Sequence, residues 1–119
     1  MTETVVQLPR SSDAPRQARH LVRDFVPPER VDDAMLLVSE LVTNAVKYGG
    51  EGPVEIVVHR DGGRARFTVR DRGGPGPLPE IRTPGTAGGG HGLRLVDSIS
   101  DRWGVEHGST IVWFEFDLG

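Results

Sequence analysis

Half of the chain's 16 glycines, eight of them, fall between Gly73 and Gly92, and four prolines share that stretch. Neither residue sustains the interior of a helix or strand. Residues 72–90 therefore carry no hydrophobic period and separate a longer patterned segment from a shorter one. An unstructured run of that length inside a compact domain is usually functional or mobile. The 119 residues suit one compact domain, 1–119, and are too few for two.

Composition narrows the function classes. The net charge of −3 argues against electrostatically driven nucleic-acid binding, which needs a basic surplus. With no cysteine, disulfide scaffolds, thiolate-bound zinc and thiol catalysis are excluded. No apolar run reaches the ~18 residues of a membrane span. The opening MTETVVQLPR lacks the apolar core of a secretion signal. The expectation is a cytoplasmic protein with no membrane and no direct nucleic-acid partner.

The patterned segments read in order. Thr4–Leu8 is a short strand closed by Pro9. Ser11, Ser12 and Asp13 open a helix whose Ala14, Ala18, Leu21, Val22 and Phe25 share one face. Arg16, Arg19, His20 and Arg23 lie on its other side, as a docking surface or a solvated face. Pro27-Pro28 stops that helix, and a second runs from about Val31 to Tyr48, ending at Gly49-Gly50. Val54–Arg60 and Arg64–Asp71 form a hairpin through Asp61-Gly62-Gly63. Beyond the glycine-rich stretch, Gly92–Asp101 is helical, and Trp103–His107 with Thr110–Leu118 is a second hairpin. The pattern predicts a two-layer α/β sandwich (α+β), with three helices on one face of a mixed five-stranded sheet.

Two features carry chemistry. The second helix is apolar almost all round, with Leu36 and Leu37 flanking a narrow polar seam of Asp33, Glu40, Asn44 and Lys47. Glu40 and Asn44, four apart, stack one above the other. Such a seam fits a solvated face, a hydrated divalent cation, or a carboxylate that orients or deprotonates a nucleophile. The second feature is GTAGGGHGLRLVDS, where Gly88, Gly90 and Gly92 precede the third helix. Glycines and a helix N-terminus suit a polyphosphate, but a plain surface loop has the same composition. The run is neither a P-loop nor a dinucleotide-binding fingerprint. Asp71, ending a strand before Gly73 and Gly74, is a turn-former or an acceptor for an exocyclic amine.

Taken together, ELVTNAVKYGG (40–50), VRDRGGPG (69–76), GGGHGLRLV (88–96) and GSTIVWFEF (108–116) resemble the asparagine box and three glycine boxes of the GHKL ATPase superfamily, which includes gyrase and histidine kinases. Within it the chain looks most like the compact anti-sigma-factor serine/threonine kinases, along nearly its whole length. The first glycine box departs from the usual D-x-G-x-G, reading Asp71-Arg72-Gly73-Gly74-Pro75-Gly76.

The resemblance implies a Bergerat ATP-binding fold with ATP and Mg²⁺ as cofactors. It implies Glu40 as general base and Asn44 as the Mg²⁺ ligand, with Lys47 near the phosphates. Asp71 would bind the adenine amine, and Gly73 would leave room for the ring. Residues 77–92 would form the ATP lid, with Gly88, Gly90, His91, Gly92 and Leu93 around the phosphates, and Thr110 would assist at the adenine end. The implied partners are a sigma factor and an anti-anti-sigma protein of the STAS type, with a possible homodimer. The competing expectations are a non-catalytic ATP-binding module that controls a partner through nucleotide-dependent binding, and an interaction domain without nucleotide.

Overall fold

The computed structural model describes residues 2–50, 52–71, 90–106 and 111–118. The elements follow the order β1 (Thr2–Leu8), α1 (Ala14–Val22), α2 (Pro28–Tyr48), β2 (Val54–Asp61), β3 (Arg64–Arg70), α3 (Gly90–Ile99), β4 (Arg102–Glu106) and β5 (Ile111–Asp117). One turn of 3-10 helix, Arg23–Phe25, extends α1 toward the prolines. Pro28 sits in the first turn of α2, where its missing N–H costs nothing, so that helix begins three residues earlier than its apolar pattern suggests. Among the described residues, no helix is long and apolar enough to cross a membrane.

The five strands lie in the order β1-β2-β3-β5-β4, and every neighbouring pair is antiparallel. This corrects the expectation of a mixed sheet. A strand–helix–strand succession such as β3-α3-β4 ordinarily yields parallel neighbours. Here β5 inserts between β3 and β4 and pairs with both. The two outer members of that succession never touch.

Alternation then sorts the side chains. Leu8, Val54, Ile56, Val58, Ala65, Phe67, Val69, Phe114 and Phe116 point to the helix side and are buried. Phe67 stacks on Phe114 with ring centroids 5.1 Å apart, and Phe116 meets both edge-on. From the helices, Ala14, Ala18 and Val22 of α1 and Ala34, Leu37, Val38, Leu41 and Val42 of α2 close the core. The helix-1 face read from the sequence is the face that is buried. Arg30 at the start of α2 lies 4.4 Å from the Phe116 ring centroid and donates to Asp101 at 2.9 Å. Asp101 in turn accepts from the Asp117 backbone N–H, which ties the α3–β4 turn to β5.

The opposite sheet face is polar, with one aromatic. Trp113 lies against Gly104 on β4, where any Cβ would come within 2.8 Å of the indole, and Arg66 covers the ring at 4.0 Å from its centroid. Glu115 is only 4% exposed on this face. It accepts hydrogen bonds from Arg66 at 2.7 Å and Arg102 at 2.8 Å. Burial works to raise the Glu115 carboxyl, but the hydrogen bonds from Arg102 and Arg66 outweigh it and hold the group below its ordinary value. A carboxylate depressed in the folded state adds stability above its unfolded value and loses it as pH falls through the folded one. Glu115→Gln is therefore expected to cost about 1–3 kcal/mol near neutrality, because Arg66 and Arg102 each lose a charged acceptor. It is also expected to flatten the loss of stability below about pH 4. Urea melts over a pH series check this; parallel curves for variant and parent would exclude Glu115 as the titrating group.

Candidate functional site

Helix α2 shows how the polar seam is built. Its ridges, spaced four residues apart, descend in burial around the helix. Ala34, Val38 and Val42 are fully buried; Leu37 and Leu41 beside them are 0% and 4% exposed. The next ridge is Leu36, Glu40 and Asn44, with Leu36 39% exposed and the two polar residues half-buried. The two leucines that flank the seam in sequence thus differ: Leu37 is core, and Leu36 is on the open side. Glu40 and Asn44 stand on the border between packed interior and surface. Lys47, one turn further, is exposed, and Asp33 at the other end pairs with Arg30 at 3.2 Å.

Asp71 follows the last residue of β3, and its side chain is only 7% exposed. It is held by two contacts. Arg10, just past β1, donates from Nη2 to Asp71 Oδ1. The other carboxylate oxygen, Oδ2, lies against Gly49, in the space that a Cβ there would occupy. Gly49 ends the helix as expected: it is the C-cap of α2, and its N–H donates to the Ala45 carbonyl at 2.9 Å. Its φ of −83° and ψ of −171° are extended. Glycine is required there because Asp71 occupies the space of a side chain, not because of backbone strain.

The outcome is that Asp71 abuts the C-terminal end of α2, within a turn or two of the ridge bearing Glu40 and Asn44. An amide oxygen and a carboxylate at half-buried positions are hard donors that suit a hydrated Mg²⁺, which completes its sphere with water and phosphate oxygens. Among the described residues, no group of three or more His, Cys, Asp or Glu forms a metal cage. Gly90, His91, Gly92 and Leu93 form the first turn of α3, slightly ahead of the expected start. The side chains of His91 and Leu93 lie outside the described residues, as do Gly73, Gly88, Thr110 and most of the 77–92 segment. His59 faces Glu3 at 3.5 Å on the outer sheet face, far from this site. A groove on that same face, bordered by Glu3, His59, Arg66 and Glu115, includes none of the site residues.

Sequence reasoning missed Arg10. It follows Pro9 in a segment with no period and lies 61 residues from its carboxylate. Only the tertiary approach of β1's end to β3's end brings the pair together.

Gly49→Ala is expected to push the Asp71 carboxylate out of place and to destabilise the fold by about 1–3 kcal/mol, as overpacking does. Urea denaturation measures the cost, and an unchanged midpoint would show that Asp71 moves aside freely.

Comparison with known proteins identifies the family. Residues 8–116 match the family model described as "Histidine kinase-like ATPase domain". No curated protein matches the chain. Domains of this family bind ATP, usually with Mg²⁺. By a match that spans β2 through α3 and most of the chain on either side, the protein belongs to the histidine kinase-like ATPase domain family.

Proposed function

We propose that this ATP-binding domain is an anti-sigma factor with serine/threonine protein kinase activity, acting on an anti-anti-sigma partner of the STAS type. The observation that supports the ATP reading is the approach of Asp71 to Gly49 at the end of α2, the helix that also bears Glu40 and Asn44. On this reading Asp71 accepts a hydrogen bond from the adenine amine, and Gly73 and Thr110 complete the adenine end. Asn44 offers its amide oxygen to Mg²⁺. The ion neutralises phosphate charge when bound. Lys47 and the backbone of Gly88, Gly90, His91, Gly92 and Leu93 surround the phosphates, where fixed N–H groups lower the barrier by positioning and charge compensation.

Glu40 takes the proton of a serine or threonine hydroxyl. The freed oxygen attacks the γ-phosphorus, the bond from that phosphorus to the bridging oxygen breaks, and ADP leaves with the electron pair. Half-burial suits the base, since it leaves Glu40 reachable from the open side while Leu37 and Leu41 fix its helix against the core. Exposed Arg16, His20 and Arg23, with half-buried Arg19, offer a surface for the sigma factor. Cytoplasmic action follows from such partners.

Calorimetry separates the roles. Asn44→Ala is expected to weaken Mg·ATP binding about 100-fold or more, as loss of the metal's one protein ligand would. Glu40→Ala is expected to keep ATP affinity within about twofold and to cut phosphoryl transfer by about 100- to 10,000-fold. Transfer is read with radiolabelled ATP and candidate STAS proteins from the same genome. Unchanged affinity in the Asn44 variant would remove its assigned role. ATP binding by the parent without transfer to any candidate would favour the non-catalytic regulatory module.

A further inference from the structure

Arg10 belongs to no motif, yet it spends its whole guanidinium on the site. Its Nε donates to the Gly52 carbonyl at 3.0 Å, Nη1 to the Ala45 carbonyl, and Nη2 to Asp71 Oδ1. One side chain thus joins three pieces of the chain: the last turn of α2, the α2–β2 connection, and the end of β3. Its surroundings are prepared for it. Gly52 has a φ of 87°, a conformation that favours glycine, and its carbonyl is turned to the arginine. The Ala45 carbonyl, at the negative end of the α2 dipole, accepts from both Arg10 and Gly49. The side chain is 17% exposed, so the charge is largely withdrawn from water and depends on these partners.

The direction of approach matters. Arg10 extends from β1, at one edge of the sheet, whereas β5 lies on the other side of β3. Asp71 is therefore reached from the β1 side, with Gly49 against its second oxygen. An ionised carboxylate has about four lone-pair sites, and Arg10 uses one.

We propose that Arg10 is a positioning residue for nucleobase selection: it locks the Asp71 carboxylate in the orientation that receives an exocyclic amine. This rests on the ATP reading above and deepens it. A planar guanidinium can hold three acceptors at fixed angles, whereas a lysine ammonium at the end of a flexible stem cannot. Selectivity for the amine then depends on a residue that touches no nucleotide.

The test compares two nucleotides in the intact chain: ATP, and purine riboside triphosphate, which lacks the amine. Affinities are measured by calorimetry with Mg²⁺ for the parent, Arg10→Ala, Arg10→Lys and Asp71→Asn, with circular dichroism confirming the fold of each. Arg10→Ala is expected to weaken ATP about tenfold, the equivalent of one charge-assisted hydrogen bond, and to leave the amine-free analogue within about twofold. Its preference then approaches that of Asp71→Asn. Arg10→Lys, which keeps the charge and is the variant used should the alanine form fail to fold, is expected to lose part of the preference and none of the analogue affinity. Equal weakening of both nucleotides would overturn the proposal, because a structural strut would act that way. Tighter ATP binding by Arg10→Ala would also overturn it, since the arginine would then be a competitor for the carboxylate. A parent that binds ATP without preferring it to the analogue would remove Asp71 from adenine recognition. A parent that binds neither nucleotide would overturn the ATP reading itself, independently of the variants.

Discussion

Everything in the site depends on how α2 divides its circumference. Two of its ridges must be dry to seal the sheet, and Ala34, Val38 and Val42 with Leu37 and Leu41 accomplish this. A third must carry a carboxylate and an amide without drowning them in solvent or smothering them. Burial of apolar area drives the first requirement, and the cost of an unpaired buried charge sets a limit on the second. A helix of this composition satisfies both only if one side stays uncovered by the sheet and by α1. The half-buried state of Glu40 and Asn44 is the result of that balance.

The elements were legible because each rests on local chemistry. Period-2 runs with a glycine turn gave β2 and β3, where Asp61 pairs with Arg64 across Gly62 and Gly63. The i, i+4 pattern of Ala14, Ala18 and Val22 gave the buried side of α1. Sheet connectivity was less legible, since no residue in β4 or β5 signals that β5 will enter between its hairpin mate and β3. The outcome depends on long-range pairing, which no local propensity encodes.

In the site, the seam on α2 could be found by counting residues around a helix, and Asp71 by its place between strand and glycines. Gly49 was legible as the cap of α2, but not as the neighbour of a carboxylate: its lack of a side chain also makes room for Asp71, 22 residues away in sequence. Arg10 had no signal at all. Its role exists only through three acceptors drawn from separate segments, and composition or spacing cannot register such a meeting. The same holds on the outer sheet face, where Glu115 gathers arginines from β3 and β4.

The two tryptophans sit in contrasting surroundings. Trp113 lies under a guanidinium on the outer face of the sheet. Trp103, on β4, donates from its indole nitrogen to Asp97 of α3 at 2.9 Å. Indole emission responds to the loss of such a bond, and Trp103 is thereby coupled to the seating of the helix that follows the glycine-rich stretch. The protein contains its own optical gauge of that helix, with Trp113 on the far face as an internal reference.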